Sequence, residues 1–293
     1  MDNRSEVHDF LVSRRARVTP QDAGLISYGQ RRVPGLRREE VAQLVGVTTD
    51  YYARLERGNL RGASGAVLSA LGKALRLDGA EGTYLADLAR AANAPASRLA
   101  RRAPKPVVRA GLQQLLDAMS GVAVLVHDAS LNLVATNALG RALGAQMFEL
   151  PAHGNSARFI FLDPRATDFY LDWDEAADEI VAILRSAAGR DPYDKDLSNL
   201  VGELSTRSEA FRVRWGAHEV RKHRQGLKQL RHPLVGVLDL TYESLAPLSA
   251  PGLTLNAFSA EPDSRSADRL GLLASWAAPE REATSVSTRP RDV

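Results

Sequence analysis

Residues 36–58, Leu36-Arg-Arg-Glu-Glu-Val-Ala-Gln-Leu-Val-Gly-Val-Thr-Thr-Asp-Tyr-Tyr-Ala-Arg-Leu-Glu-Arg-Gly58, decide how the first third of this chain folds. Val41, Val45, Val47, Tyr52 and Leu55 are apolar at helical spacings on the two sides of Gly46, and the small residue Ala42 stands four positions before that glycine. Two short helices crossing at a tight turn need this combination. The small side chain lets the second helix approach, glycine takes the turn, and the apolar residues lock the pair. The pattern predicts a helix-turn-helix, with helices over 37–45 and 48–57 and Thr48 as cap of the second. Side chains the core does not use are then exposed: Thr49, Asp50, Ala53 and Arg54, with Tyr51 partly so. This face of the second helix is the one that enters a major groove, where residues near the helix N-terminus reach base edges.

The candidate DNA-binding residues divide by chemistry. Arg54 suits bidentate contact with guanine or a phosphate, and Thr49 suits a thymine methyl or a phosphate. Asp50 suits a cytosine amino group, or caps its own helix. Arg37, Arg38 and Gln43 suit phosphate contacts, although the two arginines also have Glu39, Glu40 and Glu56 as prospective partners. Thr48 and Tyr51 complete the set. Glu56 reads as structural, because a carboxylate facing phosphate repels it.

Helical periodicity extends outward on both sides. Val7, Phe10 and Leu11 predict a helix over 6–17, followed by a polar, Gly- and Pro-containing stretch from Thr19 to Gly35. Val67, Leu68, Leu71, Ala74 and Leu75 share one helical face, and Asp78-Gly-Ala-Glu81 has the spacing of a capping box opening a fifth helix. Residues 1–95 therefore read as an all-α domain of five helices. The segment 93–106 holds three prolines and three arginines, and 96–106 reads as a linker.

The pattern changes in residues 107–278. A helix over 108–119 precedes a strand, turn and strand across 121–135. Trp173, Ala176, Ala177, Ile180, Val181 and Leu184 form the apolar stripe of a long helix over 173–187. Helices over 196–204 and 208–217, strands over 226–231, 234–242 and 253–259, and a helix over 268–276 complete an α+β domain, one antiparallel sheet with helices on one side. The tail 279–293 reads as disordered.

Composition narrows the function classes. The 293 residues are 44% hydrophobic and 25% charged, which is enough for a core in each of two domains. There is no cysteine, so disulfides and thiolate metal sites are excluded. No apolar run reaches the length of a membrane span and the N-terminus lacks a signal-peptide core, so the cytoplasm is the expected location. Residues 1–110 hold 19 Lys+Arg against 11 Asp+Glu, a net of +8, while the remaining 183 hold 19 against 24, a net of −5. A basic first third on an acidic remainder fits a polyanion-binding module joined to one that binds something else. No phosphate-binding glycine loop, nucleophile elbow or paired catalytic carboxylates occur, so no enzyme activity and no cofactor are expected. His218, His223 and His232 lack acidic partners at ligand spacing, and no metal site is expected.

The run from Val33-Pro-Gly35 through Gly58 resembles the XRE-type regulators of actinobacteria that carry an MmyB-like ligand-binding domain. The resemblance continues in Leu171-Asp-Trp173, Leu184-Arg185, Gly189-Arg-Asp-Pro192, Leu200-Val-Gly-Glu-Leu204, Phe211 with Trp215, His218-Glu-Val220 and His232-Pro233. It covers the chain to about residue 277; Val45 departs from the alanine typical of the family. What it implies is a PAS-like second domain binding a small, largely apolar ligand, with fatty acids known for the family. Asn137, Trp173, Arg185, Trp215 and His218 are the candidate ligand residues: the tryptophans as pocket walls or core, Arg185 as carboxylate clamp or surface pair, Asn137 as ligand contact or helix cap. Partners expected are double-stranded DNA, that ligand and a second copy of the chain, since one helix-turn-helix reads few base pairs and a two-fold pair reads a palindrome. The alternative is a second domain that only dimerises or binds protein.

Overall fold

A computed structural model describes residues 3–25, 33, 35–94, 107–149, 154–217 and 225–277. The linker over 96–106, the tail over 279–293, and His218 and His223 lie outside the described residues.

The first domain is helical, built from α1 (Asn3–Arg17), α2 (Arg38–Val45), α3 (Thr49–Glu56), α4 (Gly65–Ala74) and α5 (Gly79–Ala92). Gly46 ends α2 at φ 77°, ψ 35°, in the left-handed region. A Cβ there meets nothing within 4 Å, so the glycine is required by backbone conformation and not by space. Val47 N–H returns to the Ala42 carbonyl at 3.0 Å, closing the turn. The Thr48 hydroxyl accepts from Tyr51 N–H at 3.2 Å, capping α3, and Asp78 and Glu81 form the expected capping box on α5. Val41, Ala42, Tyr52 and Leu55 are buried with Val7, Phe10, Leu11, Leu71, Leu85 and Leu88, and the Phe10 ring meets Tyr84 edge-on at 5.1 Å.

The second domain opens with α6 (Ala110–Ala118), β1 (Ala123–His127) and β2 (Leu133–Thr136), followed by the short helices α7 (Ala138–Leu143), α8 (Ala145–Phe148), α9 (Ser156–Leu162) and α10 (Ala166–Phe169). Then come α11 (Trp173–Arg190), α12 (Lys195–Arg207), α13 (Glu209–Gly216), β3 (Gln225–His232), β4 (Gly236–Leu245), β5 (Thr254–Ser259) and α14 (Arg265–Ala277). The strands form one sheet in the order β2-β1-β5-β4-β3, and every pairing is antiparallel. The α+β class is as expected, but the helices are not confined to one side. Val124, Val126 and Leu255 alternate onto the opposite face, where Leu112 and Leu116 of α6 cover them. Strand period explains this: neighbouring residues point to opposite faces, and β1 is buried at all five positions.

Candidate functional site

On the outer side of α3, Thr49, Asp50 and Arg54 are exposed and Tyr51 and Ala53 half-buried, while Tyr52, Leu55 and Glu56 face inward. The Arg54 guanidinium lies over the Tyr51 ring at 4.9 Å, which holds two of the candidate reading residues together. Gln43 and Thr48 are exposed beside them, the Thr48 hydroxyl being engaged as cap. The arginines of the first helix are tied to acids. Arg37 pairs with Glu39 at 3.4 Å, and Arg38 pairs with Glu56, which is wholly buried and also receives Arg15 at 2.8 Å. Glu56 thus fastens α1, α2 and α3 from beneath. Arg57 and Arg61 are exposed just beyond α3 and extend the basic edge. Sequence reading passed over both because they fall past the last periodic residue of the helix.

Inside the second domain, a cavity of about 90 Å³ lies between the inward face of the sheet and the helices. Leu125, Leu143, Ile160, Ile180, Leu230 and Phe258 supply much of its apolar wall. Two polar clusters interrupt it. In one, the Ser244 hydroxyl donates to Asn256 Oδ1 at 2.6 Å, Asn256 Nδ2 lies 3.2 Å from His127 Nδ1, and His127 Nε2 lies 2.8 Å from Ser156 Oγ. Burial lowers the His127 pKa from the ordinary 6.5 to about 4, so its ring is neutral at physiological pH. In the other, Tyr242 Oη donates to Glu179 Oε1 at 2.6 Å and Lys228 pairs with the same carboxylate. Burial, and then the bond to Glu179, push the Tyr242 phenol well up, which keeps it a donor.

The described residues proposed for the ligand lie elsewhere. Asn137 caps α7 and is spent on backbone: its Oδ1 accepts from Val124 and Gly140 N–H, and its Nδ2 donates to the Met119 and Val122 carbonyls. Trp173 Nε1 donates to the Ile160 carbonyl at 3.0 Å, with its ring edge-on to Phe161 and beneath Arg214. Trp215 stacks on Phe211 with centroids 5.5 Å apart. None of these three lines the cavity.

Arg185 has a different place. It is fully buried, ion-paired to Glu6 of α1, donating to the Trp215 carbonyl, and packed over the Trp215 ring at 4.2 Å. Tyr84 of α5 donates to the same Glu6 carboxylate at 2.6 Å. One turn further along α11, Gly189 abuts Tyr84, and a Cβ there lies only 2.7 Å from the ring Cδ2. The side chain proposed as a ligand clamp instead fastens the second domain to the first. No spacing rule pairs residue 185 with residue 6, so sequence offered no signal for it.

A helical module with an exposed α3 face, docked on an α+β domain that encloses an apolar cavity, is the geometry on which the family comparisons bear. A profile described as MmyB-like transcription regulator ligand binding domain matches residues 108–273, more than half of the chain. The chain belongs to the MmyB-like transcription regulators. A helix-turn-helix profile matches residues 31–81 of this regulator, which includes α2 and α3. No curated protein matches it. Among the described residues of the regulator, no helix is long and apolar enough to cross a membrane.

Proposed function

We propose that this DNA-binding transcription regulator reads a palindromic operator as a homodimer, laying α3 in the major groove of each half-site, and that an apolar, fatty-acid-like ligand in the cavity modulates it. Arg54, Thr49, Asp50 and Tyr51 face the bases. Gln43, Thr48, Arg37 and Arg38 sit toward the backbone, with Arg57 and Arg61 adding phosphate contacts. The observation that carries the regulatory part is the double duty of α11. Ala176, Glu179, Ile180 and Ile183 wall the cavity, and Arg185 and Gly189 of the same helix dock on α1 and α5. A ligand that shifts α11 by a fraction of a turn changes the seat of the helix-turn-helix domain through a packed contact.

Selection of bound fragments from genomic DNA gives the operator. Repeating the binding measurement with the small molecules that co-purify with the folded protein tests the modulation. A native protein that carries no small molecule, and whose melting temperature no lipid-like compound raises, reduces the second domain to a dimerisation or protein-binding module. An operator without two-fold symmetry removes the dimer.

A further inference from the structure

The second polar cluster is an ion pair that opens on an apolar cavity. Among the described residues lining that cavity, Lys228 of β3 is the sole cation and Glu179 of α11 the sole carboxylate. The two are paired, with side chains only 13% and 10% exposed. Tyr242 of β4 completes the seat: its Oη donates to Glu179 Oε1 at 2.6 Å, and its ring lies 5.4 Å from Lys228 Nζ. His127, in the other cluster, is neutral and supplies no countercharge. A buried pair of this kind adds little net stability, because desolvation offsets the attraction. What it provides is a preorganised seat for one carboxylate, built by an ammonium and a phenol of the sheet and filled here by the protein's own Glu179.

We infer that Glu179 stands in for the head of an apolar carboxylic acid and that ligand binding is an exchange: the ligand carboxylate takes the seat on Lys228 and Tyr242, and Glu179 leaves it. This rests on the reading of the cavity as the ligand site. The exchange reaches the first domain because the seat belongs to the sheet and Glu179 to α11. Filled by Glu179, the seat ties α11 to β3 and β4; filled by a ligand, it releases the helix. Arg185, which pairs with Glu6 of the first domain, stands about 9 Å further along the same helix at 1.5 Å per residue.

Charge balance adds a proton to the exchange. Two carboxylates beside one ammonium in a poorly solvated site do not both stay ionised. The ligand head keeps its charge against Lys228, and Glu179 takes up one proton from solvent as it gives way. The titratable groups facing Glu179 are Lys228 of β3, Tyr242 of β4 and Tyr170 at the end of α10, with Glu175 one turn before it on α11 itself. Burial pushes both phenols up, so they stay protonated donors throughout.

The test titrates matched carboxylates and methyl esters, octanoyl to hexadecanoyl, onto the full chain at about pH 7.5, where the free acids are ionised. Calorimetry in two buffers of different ionisation enthalpy reads affinity and proton uptake together. Carboxylates are expected to bind at least about tenfold tighter than esters of equal length, with about one proton taken up per ligand. Glu179→Gln empties the seat of its charge, so carboxylates bind about tenfold tighter again with no proton uptake, and operator affinity without ligand moves to that of the ligand-saturated wild type. Lys228→Met loses the preference for acid over ester. Should that variant not fold, the double change with Glu179→Gln, which buries no charge, takes its place. Esters that bind the wild type as tightly as the acids, or acids whose binding takes up no proton and ignores Glu179→Gln, overturn the exchange and leave the cavity as the site. If no member of the series binds, or a cavity-filling Ile180→Trp binds them as the wild type does, the ligand-site reading falls, and the inference with it.

Discussion

Replacing Arg185 by methionine is the sharpest probe of the contact between the two domains. The side chain is wholly buried and its named partners come from two segments: the Glu6 carboxylate, and Trp215, whose carbonyl accepts from it and whose ring lies at 4.2 Å. Methionine keeps much of the volume but removes every donor. Glu6 is left buried with the Tyr84 hydroxyl, and a buried carboxylate stripped of its cation costs about 3–5 kcal/mol. The cation–π contact adds about 0.5–2 kcal/mol. The first loss falls on the junction, since Glu6 belongs to the first domain, and the second falls between α11 and α13, while the clusters around Phe10 and around Phe211 keep their own apolar contacts. The expected result is undocking, with each domain still folded. Calorimetry of the variant resolves two transitions, and amide exchange accelerates in α1, α5 and the C-terminal half of α11 while α3 and the sheet stay protected. Operator affinity then ceases to respond to ligand. In a cycle with Glu6→Gln, the two changes together cost far less than their sum. A variant that melts in one transition within a degree or so of wild type, with exchange unchanged, refutes the claim that this pair carries the junction.

Three further outcomes follow from other parts of the structure. Gly189→Ala forces a methyl onto the Tyr84 ring, so overpacking of about 1–3 kcal/mol is expected at the same junction; an unchanged urea midpoint contradicts it. Arg54→Ala lowers operator affinity by about 1–3 kcal/mol with the melting temperature unaltered, and wild-type binding in a gel-shift series removes Arg54 from the reading face. The wild-type complex should also weaken steeply with added salt. For His127, burial holds the folded pKa at about 4 against an ordinary 6.5. Between those values the unfolded chain binds a proton that the native chain refuses. Stability is therefore full above pH 6.5 and falls as the solution is acidified toward pH 4, by about 3 kcal/mol in all. His127→Gln should flatten this part of the pH dependence in urea titrations; an identical slope in the variant shows that the imidazole stays charged or solvated.

The helix-turn-helix was legible because its determinants are local. Ala42, Gly46 and Thr48 act within a few residues of themselves, through crossing distance, backbone φ and a side-chain cap, and all three act as the spacing predicts. The long helix and the strands after it were legible for the same reason, since periods of 3.6 and 2 are written along one element. Of the short helices between 138 and 169 only the one that Asn137 caps was anticipated, and without bounds; together they carry Leu143, Met147, Ser156, Ile160 and Phe169 of the cavity wall. A helix of four to seven residues shows barely two turns of pattern. Glu179 and Lys228 did leave a trace: each is a charge at an inward position, one beside the apolar stripe of α11 and one in register with Leu230 on β3. Two inward charges of opposite sign are a pair waiting to be matched, but only the fold brings them together.

The ion pair between Glu6 and Arg185 spans 179 positions of sequence, and this has a consequence for the order in which the protein becomes itself on the ribosome. Domains fold as units, N-terminal first, as synthesis proceeds at about 5–20 residues per second. The reading head is complete once α5 has emerged, whereas the arginine that fastens it follows about 5–20 seconds later. During that interval Glu6 lacks its arginine, keeping the Tyr84 hydroxyl of the head itself, and on the proposed coupling the newborn head is beyond the reach of any signal the cavity receives. On the proposed coupling, response to a ligand is thus acquired last, and a chain cut short before residue 185 keeps the head without the arginine that fastens it to the second domain.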